Sequence, residues 1–184
     1  MKSIKVFLKF LKIGIAVSIF GIVVEAKDLQ KIQSFSANFE QNVYSSEDKG
    51  SVLKYTGTIK ALAPSSVLWK YDNPIPKEIY IDNGAMIIFE PKLKQAIFAQ
   101  LQENMDFLGL LKQAKKIKDD YYEAVILEQK YTLVSESGIL KKIYFSDSLE
   151  NKVEIIFSKI VVNSKIDEGI FEFNPSSDID IVYH

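Results

Sequence analysis

From residue 34 onward the chain alternates. Phe35, Ala37, Phe39, Gln41 and Val43 interleave with Ser36, Asn38, Glu40 and Asn42, the period-two pattern of a strand with one buried face. Glu47-Asp48-Lys49-Gly50 predicts a hairpin turn, and Val52 to Leu62, with Thr56, Thr58 and Ile59, predicts the returning strand. Pro64-Ser65-Ser66 is the next turn. Val67, Trp69 and Tyr71 then share one strand face before Asn73-Pro74-Ile75-Pro76 ends it. Glu78 to Ile81, Asp82-Asn83-Gly84 and Ala85 to Phe89 predict a tight hairpin, because Asn-Gly supplies the positive φ values of a two-residue turn. Pro91 to Lys94 predicts another turn, followed by a strand over Gln95 to Phe98.

The period then changes. Phe107, Leu110, Leu111, Ala114 and Ile117 lie at helical spacing, with Lys112, Lys115, Lys116 and Lys118 largely opposite. This predicts an amphipathic helix over Glu103 to Lys118. A shorter helix is expected over Lys27 to Ile32. Strands resume at Ala124 to Ser135, Leu140 to Asp147, Lys152 to Val162 and Phe171 to Phe173, with turns at Glu136-Ser137-Gly138 and Glu150-Asn151. Nine to eleven strands and two helices make a mainly β (α+β) chain. Hairpin connections nearly throughout imply one antiparallel sheet, and a sheet so wide curls. The expected architecture is a single curled antiparallel sheet forming an unclosed half β-barrel, covered by a helical lid.

The N-terminus follows different rules. Lys2, Lys5, Lys9 and Lys12 precede an apolar run, Ile13 to Val24, and Val24-Glu25-Ala26 places small side chains where a signal peptidase reads them. Residues 1–26 are expected to be a cleaved signal peptide, and residues 27–184 one domain. The run is shorter than the roughly 20 apolar residues of a comfortable membrane span. Removing the leader leaves 19 basic and 23 acidic residues, a net charge of −4. An acidic exported domain is a poor match for nucleic acid. All basic residues are Lys, and there is no Cys, so disulfides and thiolate zinc sites are excluded.

Little in the chain points to catalysis. The only histidine is His184, so serine and cysteine nucleophiles lack their usual base, and no glycine-rich phosphate loop is present. Asp119-Asp120 and Asp178-Ile179-Asp180 fit solvated turns better than a metal site. The expectation is a protein that is not an enzyme, with no cofactor and no metal. What stands out is apolar surplus. Met86-Ile87-Ile88-Phe89, Ile155-Ile156-Phe157 and Ile160-Val161-Val162 are apolar on both faces. A curved sheet of this kind offers a concave apolar surface larger than one helix can seal, the usual form of a lipid or small-molecule site.

Five segments, taken in order, resemble the outer-membrane lipoprotein carrier family, LolA. They are Ser34-Phe35-Ser36-Ala37-Asn38-Phe39-Glu40-Gln41; Gly57 through Pro64 to Trp69, Tyr71 and Pro74; Ile81-Asp82-Asn83-Gly84 with Phe89, Pro91, Leu93 and Gln95; the helix after Asn104; and Phe171-Glu172-Phe173-Asn174-Pro175 followed by a short strand. The resemblance covers nearly the whole chain after the leader. It implies an unclosed barrel whose cavity receives acyl chains, lined by Phe35, Phe39, Ile59, Val67, Trp69, Tyr71, Ile79, Ile81 and Phe98. It implies a lid of Phe107, Leu110, Leu111 and Ile117 that opens on binding.

The partners implied are acylated lipoproteins, an inner-membrane ABC transporter that releases them and, where one exists, an outer-membrane acceptor. The carrier is expected to be a periplasmic monomer. A periplasmic lipid-binding sensor of envelope stress is the alternative on the same half-barrel, although such sensors carry a second domain for which this chain has no room. A final acceptor would carry an N-terminal lipid-modified Cys, which is missing. One position departs from the family: Arg commonly precedes the Pro of the second segment and helps hold the lid, and here that residue is Ala63, with Lys60 the nearest cation. Since each methylene withdrawn from water is worth about 0.8 kcal/mol, acylated cargo needs such a shield to cross an aqueous space.

Overall fold

The computed structural model describes residues 28–101 and 106–183. The expected signal peptide and residues 103–105 of the expected helix lie outside them. The described chain forms one sheet of 12 strands in the order β12-β6-β5-β4-β3-β2-β1-β11-β10-β9-β8-β7. The strands are β1 (Ser34–Tyr44), β2 (Val52–Leu62), β3 (Ser66–Asn73), β4 (Lys77–Asp82), β5 (Ala85–Glu90), β6 (Gln95–Gln100), β7 (Lys115–Lys118), β8 (Tyr121–Ile126), β9 (Gln129–Glu136), β10 (Ile139–Ser146), β11 (Lys152–Val162) and β12 (Asp180–Tyr183). β7 and β12 are the two free edges, so the sheet does not close into a barrel. One α-helix, α1 (Phe107–Gln113), and two 3-10 turns, Leu29–Lys31 and Glu168–Phe171, complete the described structure.

The first six strands follow the sequence pattern closely, because each turn between them carries its own signal. Asn83 (φ 48) and Gly84 (φ 84) make the two-residue β4–β5 turn that Asn-Gly predicts. Phe39 pairs with Gly57 across β1 and β2. A Cβ on Gly57 would stand 1.9 Å from the Lys70 carbonyl oxygen and 2.9 Å from a Phe39 ring carbon. That glycine is the gap into which the Phe39 ring and β3 settle.

Four expectations are corrected. The mid-chain helix spans only Phe107–Gln113. Ala114 caps it with extended backbone (φ −64, ψ 124), and Lys115–Lys118 becomes β7, antiparallel to β8. The apolar spacing that continues to Ile117 is therefore accidental. The chain instead supplies β8 with a hydrogen-bonded neighbour and leaves a lysine-rich outer edge, which resists further strand pairing. Residues 124–135 are two strands rather than one. Their turn, Leu127 (φ 46) and Glu128 (φ 65), has both residues left-handed without Asn or Gly to announce it. Phe171–Phe173 is not a strand: Phe171 ends a 3-10 turn capped by Asp167, and the chain after it is unpaired until β12. Finally, β12 runs parallel to β6, so the sheet is not wholly antiparallel.

The core lies on the concave face. Phe35, Phe39, Ile59 and Ala61 from β1 and β2, and Leu133, Leu140, Ile143, Val153, Ile155 and Phe157 from β9 to β11, are buried there with the helix residues Phe107, Leu108, Leu110 and Leu111. The C-terminal segment crosses the convex face of β3 to β6. Phe173 packs on Tyr80 and Phe89, with centroids 5.3 Å from each, and on Phe98 at 6.1 Å. This covers an apolar outer face that the sheet would otherwise present to water.

Candidate functional site

The concave face and α1 enclose a cavity of about 560 Å³, within the range of small-ligand sites. One wall comes from β3 to β5. Val67, Trp69 and Tyr71 alternate along β3, Ile81 and Ile79 lie opposite Val67 and Trp69 on β4, and Met86 follows on β5. The other wall comes from β8 to β11 through Ile126, Leu127, Tyr131, Ile143, Phe145 and Ile155. Phe107 and Leu110 reach down from α1, and Leu101 and Asp106 close that end. Gln41 and Gln129 are the remaining polar members of the lining.

Behind this lining the aromatic rings are continuous. Phe107 lies 4.9 Å from Phe35 and 6.2 Å from Trp69, Phe35 lies 5.3 Å from Phe157, and Phe39 lies 5.1 Å from Trp69 and 5.0 Å from Tyr71. Such pairs add about 0.5–1.5 kcal/mol each beyond burial. The cavity therefore has a floor of packed rings, three of which, Trp69, Tyr71 and Phe107, also face the space among aliphatic side chains.

The polar groups are few and specific. The Tyr71 hydroxyl donates to Gln41 Oε1 at 3.0 Å. Burial pushes the Tyr71 phenol up to about 12, with the nearby Tyr55 adding to the effect, so it remains a neutral donor. Trp69 Nε1 is buried on the wall of this apolar space without a well-formed hydrogen bond, although it lies close enough to the Tyr71 phenol to oppose part of that upward shift. Asp106 is the one charged residue of the described lining. It is the N-cap of α1, and its Oδ1 accepts from Leu108 N at 2.8 Å and Gly109 N at 3.0 Å. That bond sets where the short helix begins and hence where Phe107 and Leu110 point.

Among the described residues, three attachments hold α1 against the cavity. Its face is buried through Leu108 and Leu111. Gln30 Nε2, from the first 3-10 turn, donates to the Ala114 carbonyl at 2.8 Å. Lys112 Nζ reaches the Pro64 carbonyl at 3.5 Å. The cation near Pro64 thus comes from the helix rather than from position 63.

The sequence-derived residues divide by location. Val67, Trp69, Tyr71, Ile79, Ile81, Phe107 and Leu110 line the cavity. Phe35, Phe39, Ile59 and Leu111 are buried beneath it. Two expectations are corrected. Phe98 pairs with Ile87, one register step from the concave pair Ile88–Ile97, so its ring lies on the convex face against Phe173 and Tyr183. Ile117 lies on β7, 55% exposed, and takes no part in the lid. Sequence reasoning missed the β8–β11 wall. Its signal was present as alternation of Tyr131, Leu133 and Ser135 and of Ile143 and Phe145, hidden by the unannounced turn at Leu127. Among the described residues no group of three His, Cys, Asp or Glu is placed to hold a metal ion.

A family model described as "Outer membrane lipoprotein carrier protein LolA" matches residues 30–174. The outer-membrane lipoprotein carrier protein of Wolinella succinogenes is 39% identical over 154 residues, covering 83% of this chain and 88% of that protein. The protein of the same name from Helicobacter pylori strain J99 is 40% identical over 159 residues, covering 86% and 84%. Among solved structures, an uncharacterized conserved protein from Thermus thermophilus superposes with a TM-score of 0.53 at 7% identity, covering 88% of this chain and 96% of that one. The last likeness concerns the fold alone.

Proposed function

This chain belongs to the outer-membrane lipoprotein carrier family, and from that premise we propose that its cavity sequesters the acyl chains of lipoproteins during transit of the periplasm. The observation that carries the reading is the cavity itself, a space of about 560 Å³ walled by aliphatic and aromatic side chains on a sheet that stays open. Acyl chains gain about 0.8 kcal/mol per methylene buried, and the lining asks for no directional bond from them. Chains of different structure are therefore accepted without a matching polar contact, each held in proportion to the length it buries. Trp69 Nε1, which makes no well-formed hydrogen bond, is a side-chain donor suited to a cargo ester or amide carbonyl.

The helix must yield to cargo larger than the closed cavity. Its lining residues Phe107 and Leu110 make apolar contacts that an acyl chain replaces in kind. The carrier receives cargo released by an inner-membrane ABC transporter, works as a monomer, and delivers to an outer-membrane acceptor where one exists. The relatives matched over most of the chain are named carrier proteins, and no observation favours an envelope-stress sensor. Catalysis has no part in this role.

The test is isolation of the protein from periplasm under native conditions. A soluble one-to-one complex with mature lipoproteins, lost when the lipoproteins lack acyl chains, is expected. Recovery free of lipoproteins, together with failure to keep a synthetic lipopeptide soluble, would overturn the proposal.

A further inference from the structure

The exposed large apolar residues are not scattered evenly. Five hairpin turns lie at one end of the half-barrel, β1–β2, β3–β4, β5–β6, β8–β9 and β10–β11, as the end pairs Tyr44–Val52, Tyr71–Lys77, Glu90–Gln95, Ile126–Gln129 and Ser146–Lys152 require. Across the β1–β11 seam two of these turns touch directly: Ser46 Oγ donates to the Leu149 carbonyl at 2.8 Å, and Ser46 N donates to Asn151 Oδ1 at 2.9 Å. Each of the five turns carries a large aliphatic side chain in it or beside it: Leu53, Ile75, Leu93, Leu127 and Leu149, exposed by 58 to 73%. At the opposite end, Ala63-Pro64-Ser65, Asn83-Gly84 and Ser137-Gly138 carry none among the described residues, and only Asp119-Asp120 has exposed apolar neighbours, Ile117 and Tyr121 on the edge strands β7 and β8. The other exposed large apolar residues sit along strands, chiefly on the edges β7–β8 and β12.

We propose that this rim of hairpin tips docks the protein on a lipid bilayer surface, with the Leu127 end of the cavity toward the membrane. Three observations favour a bilayer over a protein partner. First, the exposed aliphatic side chains are spread one to a turn along the sheet edge, although the β1–β2 and β10–β11 turns touch through polar bonds of Ser46. Strands stand about 4.8 Å apart, so successive tips are spaced by roughly 10 Å along the sheet edge, with polar turn residues between them. A stable protein interface needs a continuous packed core, whereas a fluid apolar phase accepts each tip independently. Second, the rim is continuous with the cavity: Leu127 is both a tip and part of the lining, so docking sets one end of the cavity beside the bilayer. Third, the tips carry both signs of charge. Lys49, Lys92 and Lys152 stand with Glu47, Asp48, Glu128 and Glu150, so docking is driven by apolar insertion and does not depend on anionic lipid. Docking stands on the rim alone, while its use in loading or delivery rests on the carrier reading above.

The chain has no cysteine, so single cysteines label cleanly. A polarity-sensitive fluorophore is placed in turn at Leu53→Cys, Ile75→Cys, Leu93→Cys and Leu149→Cys, with Asp119→Cys at the opposite end as control. Vesicles of phosphatidylcholine alone, and of phosphatidylethanolamine with phosphatidylglycerol, are then added. The four tip labels should shift to the blue with both vesicle types, and the control should not. In unlabelled protein, changing Leu53, Ile75, Leu93 and Leu149 together to Ser should lower vesicle partitioning about tenfold or more. Uptake of a lipopeptide from solution should be unchanged, because none of the four lines the cavity. Tip labels that ignore vesicles, that shift no more than the control, or that respond only to protein concentration would overturn the proposal. The last result would assign the rim to contact between copies. Loss of lipopeptide uptake in the wild-type protein with docking intact would instead sink the carrier reading and leave the rim standing.

Discussion

The ring of Phe107 sits 4.9 Å from that of Phe35, so the helix over the cavity is anchored in the same aromatic cluster that forms the floor of the sheet. This divides α1 into residues that belong to the core and residues that belong to the site. Leu111 is 1% exposed, while Leu110 faces the cavity. Leu111→Ser should cost about 3 kcal/mol of stability, read as a lower urea midpoint. Leu110→Ser, also at a buried position but facing the cavity, should cost less than Leu111→Ser and weaken lipopeptide uptake more. Equal effects of the two on both measurements would mean that the helix has no separate cavity-facing side.

The cavity wall gives a second expectation. Val67 is almost fully buried, so a charge there damages the fold itself, whereas Ile79 lines the cavity and is only partly buried. Ile79→Gln places an amide where an acyl chain is proposed to lie. Lipopeptide affinity should fall about tenfold, by roughly the 1–3 kcal/mol cost of an unpaired buried amide, with the melting temperature little changed. Titration of a fluorescent lipopeptide reads the first, and calorimetry the second.

Gly57 tests the close approach of β2, β3 and Phe39. Gly57→Ala sets a methyl carbon against the Lys70 carbonyl, which cannot move without parting the β2–β3 pair. A loss of about 2–3 kcal/mol is expected, measured by chemical denaturation. A neutral result would show that the strands separate freely at this point.

How far the sequence reached depended on local signals. β1 to β6 were legible because Asp48-Lys49-Gly50, Pro64, Pro74 and Asn83-Gly84 mark the turns between them. The β8–β9 hairpin was not, since Leu127 and Glu128 take positive φ under tertiary constraint rather than by preference. The helix was located but overextended, because Ile117 fits a helical period and β7 exists only by virtue of its pairing with β8. Phe98 shows the cost of a single register step: its strand was identified and its face inverted. The convex aromatic cluster around Phe173 had no local signature, because it joins β4, β5 and β6 to a segment some 75 residues or more away in the chain.

That convex face also sets a pH dependence. Glu78 accepts from the Tyr80 hydroxyl at 2.6 Å and pairs with Lys70 at 2.7 Å. Burial opposes its ionisation, but the bonds from Lys70 and Tyr80 outweigh it, and the carboxyl lies below its ordinary value. A lowered carboxylate pKa contributes stability that is full above the ordinary glutamate range and lost as pH falls through the folded value. Glu78→Gln should therefore flatten the acid limb of the stability profile between about pH 5 and pH 3 without altering it near neutrality. An unchanged acid limb would place the sensitivity elsewhere.

Processing is a separate expectation. Val24 and Ala26 fit the positions a signal peptidase reads, so intact-mass analysis of protein recovered from periplasm should give a chain beginning at Lys27. A retained leader would mean a membrane-tethered form, and the rim of hairpin tips would then act at the inner membrane alone.

The remaining prediction concerns the latch. With Ala63 before Pro64, two side-chain bonds to backbone carbonyls among the described residues tie α1 to its surroundings. Gln30 to Ala114 is short at 2.8 Å and partly buried, and Lys112 to Pro64 is long at 3.5 Å and exposed. A short, sheltered bond contributes about 1 kcal/mol and an exposed one little. Gln30→Ala should thus raise amide exchange across Phe107–Gln113 about fivefold, while Lys112→Ala changes it hardly at all. Lipopeptide uptake should quicken in the first variant for the same reason, because opening precedes entry. Ala63→Arg should act in the opposite sense, adding donors beside the helix, slowing exchange and slowing uptake. If Gln30→Ala leaves exchange and uptake as they were, the bond to Ala114 is not the latch, and the burial of Leu108 and Leu111 holds the helix more strongly than that bond does.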